Sequence, residues 1–107
     1  MPKYLIERHM LGAGSLSESE LAALAEKSYR ALSQLGPQIQ WVESFITADR
    51  VYSVYIAQNE RLIREHASLS GLPADSVCEV IAVIDPSTSW RAHWDEEHDV
   101  AKESGIY

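Results

Sequence analysis

Six segments of regular hydrophobic periodicity follow one another along residues 3–84, in the order strand, helix, strand, strand, helix, strand. Apolar residues alternate in the strand segments and recur every three to four positions in the helical ones. A chain with this order forms two interlocked β-α-β units, which build a four-stranded antiparallel sheet with both helices on one face. The sequence therefore predicts an α+β protein with the ferredoxin-like βαββαβ architecture.

The ends of these segments carry recognisable signals. Ser17, with Glu20 three residues later, forms a capping box at the start of the first helix, and Gly36 and Pro37 end it. Asn59 is a suitable cap for the second helix, which should end near Ser70. The predicted strands comprise residues 3–10, 38–47, 50–57 and 77–84. We predict one domain over residues 1–88 and an acidic tail over 89–107, because residues 85–107 hold six acidic and two basic side chains.

The charge of the chain restricts its partners. The net charge is −7 and the isoelectric point is about 4.9, so we expect neither nucleic acid nor an anionic membrane surface to bind. The single cysteine, Cys78, excludes an internal disulfide; we expect it to be buried in the last strand. No apolar run approaches the ~20 residues of a membrane-spanning helix, and no signal-peptide pattern precedes the first strand. These features predict a cytoplasmic protein.

The alternation of each strand distributes its side chains over two faces of the sheet. The compact aliphatic residues suit the face beneath the helices: Val42, Ile46, Val54, Ile56, Val80 and Ile84. The other face would then carry Trp41, Phe45, Tyr55, Ile81 and Val83. Monomeric proteins seldom expose apolar patches on the order of several hundred Å². We therefore expect a homodimer through the open sheet face; the alternative is that the tail covers its own sheet.

Carboxylates and histidines near this face suggest a metal site. Glu7 and Glu43 lie in predicted strands among apolar residues, where a carboxylate needs a partner or a cation. His9 lies two residues after Glu7 on the same strand face, and His66 lies on the apolar stripe of the second helix. Imidazole and carboxylate ligands suit nickel, zinc and copper alike. The alternatives are an ion pair between Glu7 and a neighbouring arginine, and hydrogen-bonded or surface histidines.

The tail concentrates two histidines and four carboxylates between His93 and Asp99. The two histidines are five residues apart, which is not the same-face spacing of a helix, and no Cys-x-x-Cys or His-Glu-x-x-His motif occurs. The segment is compatible with weak binding of divalent cations or with a solvated acidic tail.

A different class of function is also compatible with this fold. In dimeric α/β-barrel proteins a space between helices and sheet holds a small organic molecule, as in some monooxygenases and isomerases. Trp41, Tyr55 and Phe45 are the aromatic residues that would line such a space, and Trp41 and Tyr55 are the candidate binding residues. A third alternative is an interaction module whose open face only dimerises.

Residues 1–88 also resemble a family of small proteins, formally of unknown function, whose characterised member binds nickel. The matching sequence segments are PKYLIER (2–8), GAG (12–14), GPQIQWV (36–42), VYSVYIA (51–57), REHA (64–67), GLPA (71–74) and VIDP (83–86). The resemblance implies a ferredoxin-like fold, a dimer, and nickel held by nitrogen and oxygen ligands. Glu7 and His66 fall within these segments, whereas His9 and Glu43 are added as candidate metal ligands on chemical grounds. His9 stands where we expect an acidic residue in relatives, and the tail lies outside the resemblance.

The sequence thus predicts a dimeric protein that binds a divalent transition metal, with nickel preferred because of the resemblance. Its role would be metal sequestration or a stress response rather than catalysis. The predicted metal ligands are Glu7, His9, Glu43 and His66.

Overall fold

The protein, described by a computed structural model over residues 1–90, is built on four strands and two main helices. They are β1 (Lys3–His9), α1 (Glu18–Leu35), β2 (Ile39–Ile46), β3 (Arg50–Ala57), α2 (Glu60–Ser70) and β4 (Ser76–Val80). The strands form one sheet in the order β2-β3-β1-β4, and every neighbouring pair is antiparallel. This confirms the predicted α+β fold, including the crossing connections that bring β1 to the interior of the sheet.

Both helices begin and end as their local sequence requires. Ser17 Oγ accepts the backbone N–H of Glu20, and the Glu20 carboxylate accepts the backbone N–H of Ser17, which completes the capping box. At α2, Asn59 Oδ1 accepts the backbone N–H of Leu62 at 3.1 Å. Gly71 follows α2 in the left-handed conformation, with a φ of 73°, where a residue with a Cβ would be strained. Local hydrogen bonding therefore sets the lengths of both helices.

The core lies between the helices and one face of the sheet. Side chains of β1, β2 and β3 meet the apolar face of α2 in one cluster of buried residues: Tyr4, Ile6, Ile39, Tyr55, Ala57, Leu62 and Ile63. In β1 and β3 every second residue is buried, so these strands alternate as half-buried strands should. Both helices lie on the same side of the sheet, since side chains of α1 and α2 both contact Tyr55.

The predicted distribution of side chains over the two faces is wrong for β3 and for part of β2. In β3 the buried residues are Val51, Ser53, Tyr55 and Ala57, so Val54 and Ile56, predicted beneath the helices, lie on the open face.

In β2 a β-bulge separates Trp41 from Phe45. The register between β2 and β3 shifts between Trp41 and Glu43, so alternation inverts at that point. Trp41 and Tyr55 were predicted on the open face, but Trp41 pairs with Tyr55 on the face beneath the helices. Phe45 does lie on the open face and is 51% exposed. The predicted aromatic patch is therefore divided between the two faces.

Strand β4 is shorter than the sequence predicts. It ends at Val80, whereas residues 81–85 are irregular and residues 86–90 are helical. Cys78, predicted to be buried, is exposed, because its side chain lies on the open face opposite Leu5. Within residues 1–90, no helix is long and apolar enough to cross a bilayer. The histidine-rich part of the tail lies outside the described residues.

Candidate functional site

A cavity of about 210 Å³ lies between α1 and the sheet. Its polar side chains come from four elements: Arg8 from β1, Ser28 from α1, Ser44 from β2, and Ser53 and Tyr55 from β3. Its apolar wall is formed by aliphatic residues and by the indole of Trp41. The two aromatic residues predicted to contact an organic ligand thus both line a cavity.

Arg8 is the most unusual residue of this cavity. It is only 3% exposed, yet no carboxylate within residues 1–90 forms an ion pair with it. Its Nη1 donates to Ser53 Oγ at 2.8 Å, its Nε makes a longer contact of 3.4 Å with the carbonyl of Leu72, and its Nη2 has no hydrogen-bond partner. The guanidinium carbon also lies 5.9 Å from the centre of the Tyr55 ring. A positive charge is therefore buried with incomplete compensation.

Two serines connect Arg8 to Trp41. The indole Nε1 of Trp41 donates to Ser44 Oγ at 3.0 Å, and Ser44 Oγ lies 2.7 Å from Ser53 Oγ, the acceptor of the Arg8 bond. The bulge makes this chain of contacts possible, because it places Trp41 and Ser44 on the same face although they are three residues apart. The chain holds the indole and the guanidinium in fixed positions along the cavity wall.

A second hydrogen-bonded group surrounds His66. Tyr55 Oη lies 2.8 Å from Ser28 Oγ, and His66 Nε2 lies 3.2 Å from the same hydroxyl and 3.1 Å from the carbonyl oxygen of Ser28. A carbonyl can only accept, so Nε2 must carry the proton. That nitrogen has no lone pair free for a metal while the bond exists. His66 is thus a buried, hydrogen-bonded histidine, which is the alternative to a metal ligand that the sequence analysis gave for this residue.

Burial lowers the pKa of His66 below its ordinary value of 6.5; the bond to the Ser28 carbonyl opposes this shift, and the charge of Arg8 adds to it. A histidine with a depressed pKa stays neutral in the fold while the unfolded chain takes up a proton. Stability due to His66 should therefore be complete above pH ~6.5 and decrease as the pH falls below it. The expected result is a fall in the urea midpoint between about pH 7.5 and pH 5.5 that is smaller in His66→Gln. Equal falls in both proteins would contradict this assignment.

The open face of the sheet holds two of the predicted metal ligands. Glu7 and His9 are neighbours on one face of β1, and His9 Nε2 lies 3.4 Å from Glu7 Oε2. Arg50 Nε lies 3.2 Å from the same carboxylate oxygen, as the alternative of an arginine partner predicted. His9 is 57% exposed and Glu7 is 33% exposed in their side chains. The pair is accessible from solvent.

The other two predicted ligands do not join this pair. Glu43 lies on the open face, but on β2, from which β1 is separated by β3. His66 lies on the opposite side of the sheet, beneath the helices, so one ion cannot contact all four residues. Within residues 1–90 no three His, Cys, Asp or Glu side chains are grouped as a metal site. The metal prediction is thus reduced to Glu7 and His9 in a single chain.

Sequence reasoning missed Arg8 and the two serines as candidate functional residues. For Arg8 a signal existed, because Tyr4, Ile6 and Arg8 alternate along β1 and share a face. Ser44 alternates with Val42 and Ile46, and Ser53 alternates with Val51 and Tyr55, but the sequence assigned these two sets to opposite faces of the sheet. The bulge that aligns them depends on β3, not on β2 alone.

Comparison with known proteins identifies the family. Residues 4–80 match the family described as nickel responsive protein SCO4226-like. The fold is similar to that in the crystal structure of SCO4226 from Streptomyces coelicolor A3(2), with a TM-score of 0.65 and 12% sequence identity over 77% of this chain and 99% of that one. At this identity the structural likeness concerns the fold alone. No curated protein matches the sequence. Since the family match spans well over half of the chain, the protein is a member of the nickel responsive protein SCO4226-like family.

Proposed function

We propose that this protein binds Ni²⁺ as cargo at the Glu7–His9 pair on the open sheet face, with a second copy of the chain completing the site. Its function would be to sequester the ion in the cytoplasm rather than to catalyse a reaction. The proposal rests on one observation above all: an imidazole nitrogen and a carboxylate oxygen lie 3.4 Å apart on an accessible surface. Membership of a nickel responsive family supports the choice of metal.

The spacing of the two donor atoms fits a shared ion. Donors bound to one cation at about 2.1 Å lie roughly 3.0–3.4 Å apart for octahedral or tetrahedral angles. Nitrogen and oxygen donors of this kind suit nickel, zinc and copper. Arg50 contacts the same oxygen of Glu7, so its side chain would have to move when the ion enters. The net charge of −7 favours the approach of a cation.

Two ligands are too few for a tightly held transition metal, which supports a site shared between two copies. Leu5 and Phe45, on the same face, are 40% and 51% exposed. A face-to-face dimer would cover these apolar side chains, and an interface of standard size buries about 800 Å² on each partner. With a two-fold axis near β1, two histidines and two carboxylates would surround one ion. The predicted homodimer is therefore part of the proposal.

Calorimetric titration with nickel, combined with sedimentation, tests both parts. The double variant Glu7→Gln/His9→Ala should lose nickel affinity by at least about tenfold, since even residues behind the ligands contribute that much in metal sites. Glu43→Gln removes a carboxylate from the same face outside the pair, so it should bind like the parent. With nickel bound, the sedimenting mass should be that of two 12.0 kDa chains.

Some outcomes would overturn the proposal. Unchanged nickel affinity in the double variant would remove the site from β1, and its loss in a chain ending at Ser87 would place the site in the tail instead. A mass of one chain throughout the titration would exclude a site shared between copies. His66→Gln serves as an internal control, because His66 lies on the opposite side of the sheet and its loss should leave nickel binding unchanged.

A further inference from the structure

We propose that the cavity beneath the helices binds a small apolar monocarboxylate, such as an arylcarboxylate, and that Arg8 holds the carboxylate group. This site lies on the opposite side of the sheet from Glu7 and His9. The proposal therefore does not depend on nickel binding, and either can fail without the other.

The buried charge of Arg8 lacks a counter-charge within residues 1–90. A guanidinium does not lose its proton in a protein, so burial cannot neutralise it. Burying a charge without a counter-charge is costly, and native proteins normally pair such groups. Within residues 1–90 Arg8 bonds to one serine hydroxyl and one backbone carbonyl, its guanidinium lies beside the ring and hydroxyl of Tyr55, and its Nη2 has no hydrogen-bond partner. A bound anion would satisfy both the charge and the free N–H groups.

The serines supply a second donor. Ser44 Oγ and Ser53 Oγ each accept a hydrogen bond, from Trp41 and from Arg8 respectively, and they also contact each other at 2.7 Å. Only one of the two hydroxyl protons is used in that mutual contact. The other proton has no acceptor in the hydrogen bonds of the described residues. Nη2 is covered by its neighbours in the ligand-free protein, so the Arg8 side chain has to shift toward the cavity on binding. One carboxylate oxygen then accepts from Nη2 and the other from this hydroxyl.

The remaining wall defines the rest of the ligand. Leu21, Leu24, Val51 and Leu72 line the cavity together with the Trp41 indole, and such a surface favours an apolar body. The volume of about 210 Å³ exceeds the ~150 Å³ cavity that is known to hold benzene. It therefore accommodates a ring that carries a carboxyl group. A phosphate would need more donors and counter-charge than one arginine and one hydroxyl provide, whereas a carboxylate matches them.

The test compares benzoate and phenylacetate with their neutral amides, benzamide and phenylacetamide. Titration calorimetry and ¹H–¹⁵N spectra would be recorded with the full-length protein in the presence of a metal chelator. The carboxylates should bind saturably and at least about tenfold more tightly than the amides, because a hydrogen-bonded charge pair contributes more than a neutral hydrogen bond. Shifts in the spectra should centre on Arg8, Ser53 and the residues of α1 that face them.

Variants distinguish specific binding in this cavity from non-specific hydrophobic binding. Arg8→Met should abolish the preference for carboxylate over amide, and Ala25→Leu should fill the cavity and weaken both ligands by at least about tenfold. Arg50→Met removes an arginine from the open face and should bind like the parent. Absence of saturable carboxylate binding in the parent would overturn the proposal. So would equal affinity for acid and amide, or carboxylate binding retained in Arg8→Met with unchanged dispersion of its spectrum.

Discussion

Replacing Tyr55 with alanine is expected to lower the free energy of unfolding by about 3–5 kcal/mol, which is the usual cost of removing a fully buried aromatic ring. Tyr55 is 2% exposed. Its ring lies 4.9 Å from the ring of His66 and 6.5 Å from that of Trp41, measured between centroids. Its hydroxyl contacts Ser28, so the residue connects β3 to both helices.

Urea unfolding followed by circular dichroism measures the effect, and Tyr55→Phe is the matched control. The phenylalanine keeps the ring and removes only the hydroxyl, and Ser28 Oγ retains its contact with His66 Nε2 at 3.2 Å. The control should therefore lose only about 1 kcal/mol, the typical contribution of one hydrogen bond. Similar losses in the two variants would show that the packing of the ring contributes little.

Replacing Arg8 with methionine is expected to raise the free energy of unfolding of the ligand-free protein by about 1–4 kcal/mol. This change is opposite in direction to that of Tyr55→Ala. Methionine approaches the length of the arginine stem and carries no charge. Replacing whole buried ion pairs by apolar residues of similar volume often gives a gain of this size, and within residues 1–90 Arg8 has no carboxylate partner that its removal would leave unpaired. The hydrogen bond to Ser53 is lost, but Ser53 Oγ keeps its partner Ser44 at 2.7 Å. The desolvated guanidinium, by contrast, has an unsatisfied N–H group.

The measurement is the urea midpoint of parent and variant after removal of bound small molecules by unfolding and refolding. Arg8→Lys is a useful companion, because it keeps the charge and loses the planar fork, and it should be less stable than the parent. A stability loss in Arg8→Met would mean that the contacts with Ser53 and Leu72 outweigh the cost of burial. A gain would agree with a residue retained for binding at the expense of stability, as functional sites often are.

Local sequence signals were sufficient for most of the fold. The capping box of Ser17 and Glu20, the Asn59 cap and the glycines after each helix are interactions between residues close in the chain, so their outcome depends little on the rest of the protein. Both helices and β3 lie where the periodicity predicts them. The error at the end of β4 has a physical cause: residues 81–84 are apolar, but β1 begins at Lys3, which already pairs with Val80. No partner strand remains for them to pair with.

The candidate sites could be predicted only in part. Glu7 and His9 are two residues apart on one strand, and a period of two is enough to place them side by side. Glu43 and His66 depend on where a different strand and a helix come to lie. The sequence therefore predicted one metal site from four residues that lie on two sides of the sheet. His66 lies beneath the helices, and the other three residues lie on the open side.

The order of the elements and the bounds of the two helices follow from the sequence, because periodicity, caps and breakers act between near neighbours. The inward face of β2 and β3 was decided only in the tertiary structure. Both faces of these strands are apolar enough to be buried, so alternation leaves the choice open. In the structure the bulge after Trp41 brings both Trp41 and Ser44 to the inner face of β2, and on β3 the inward Tyr55 contacts the hydroxyl of Ser28, 27 residues away on a helix. The same inward face of the sheet forms a cavity that Arg8 lines. The charge of Arg8 would be ordinary on a surface, and it becomes a candidate binding group because the fold buries it.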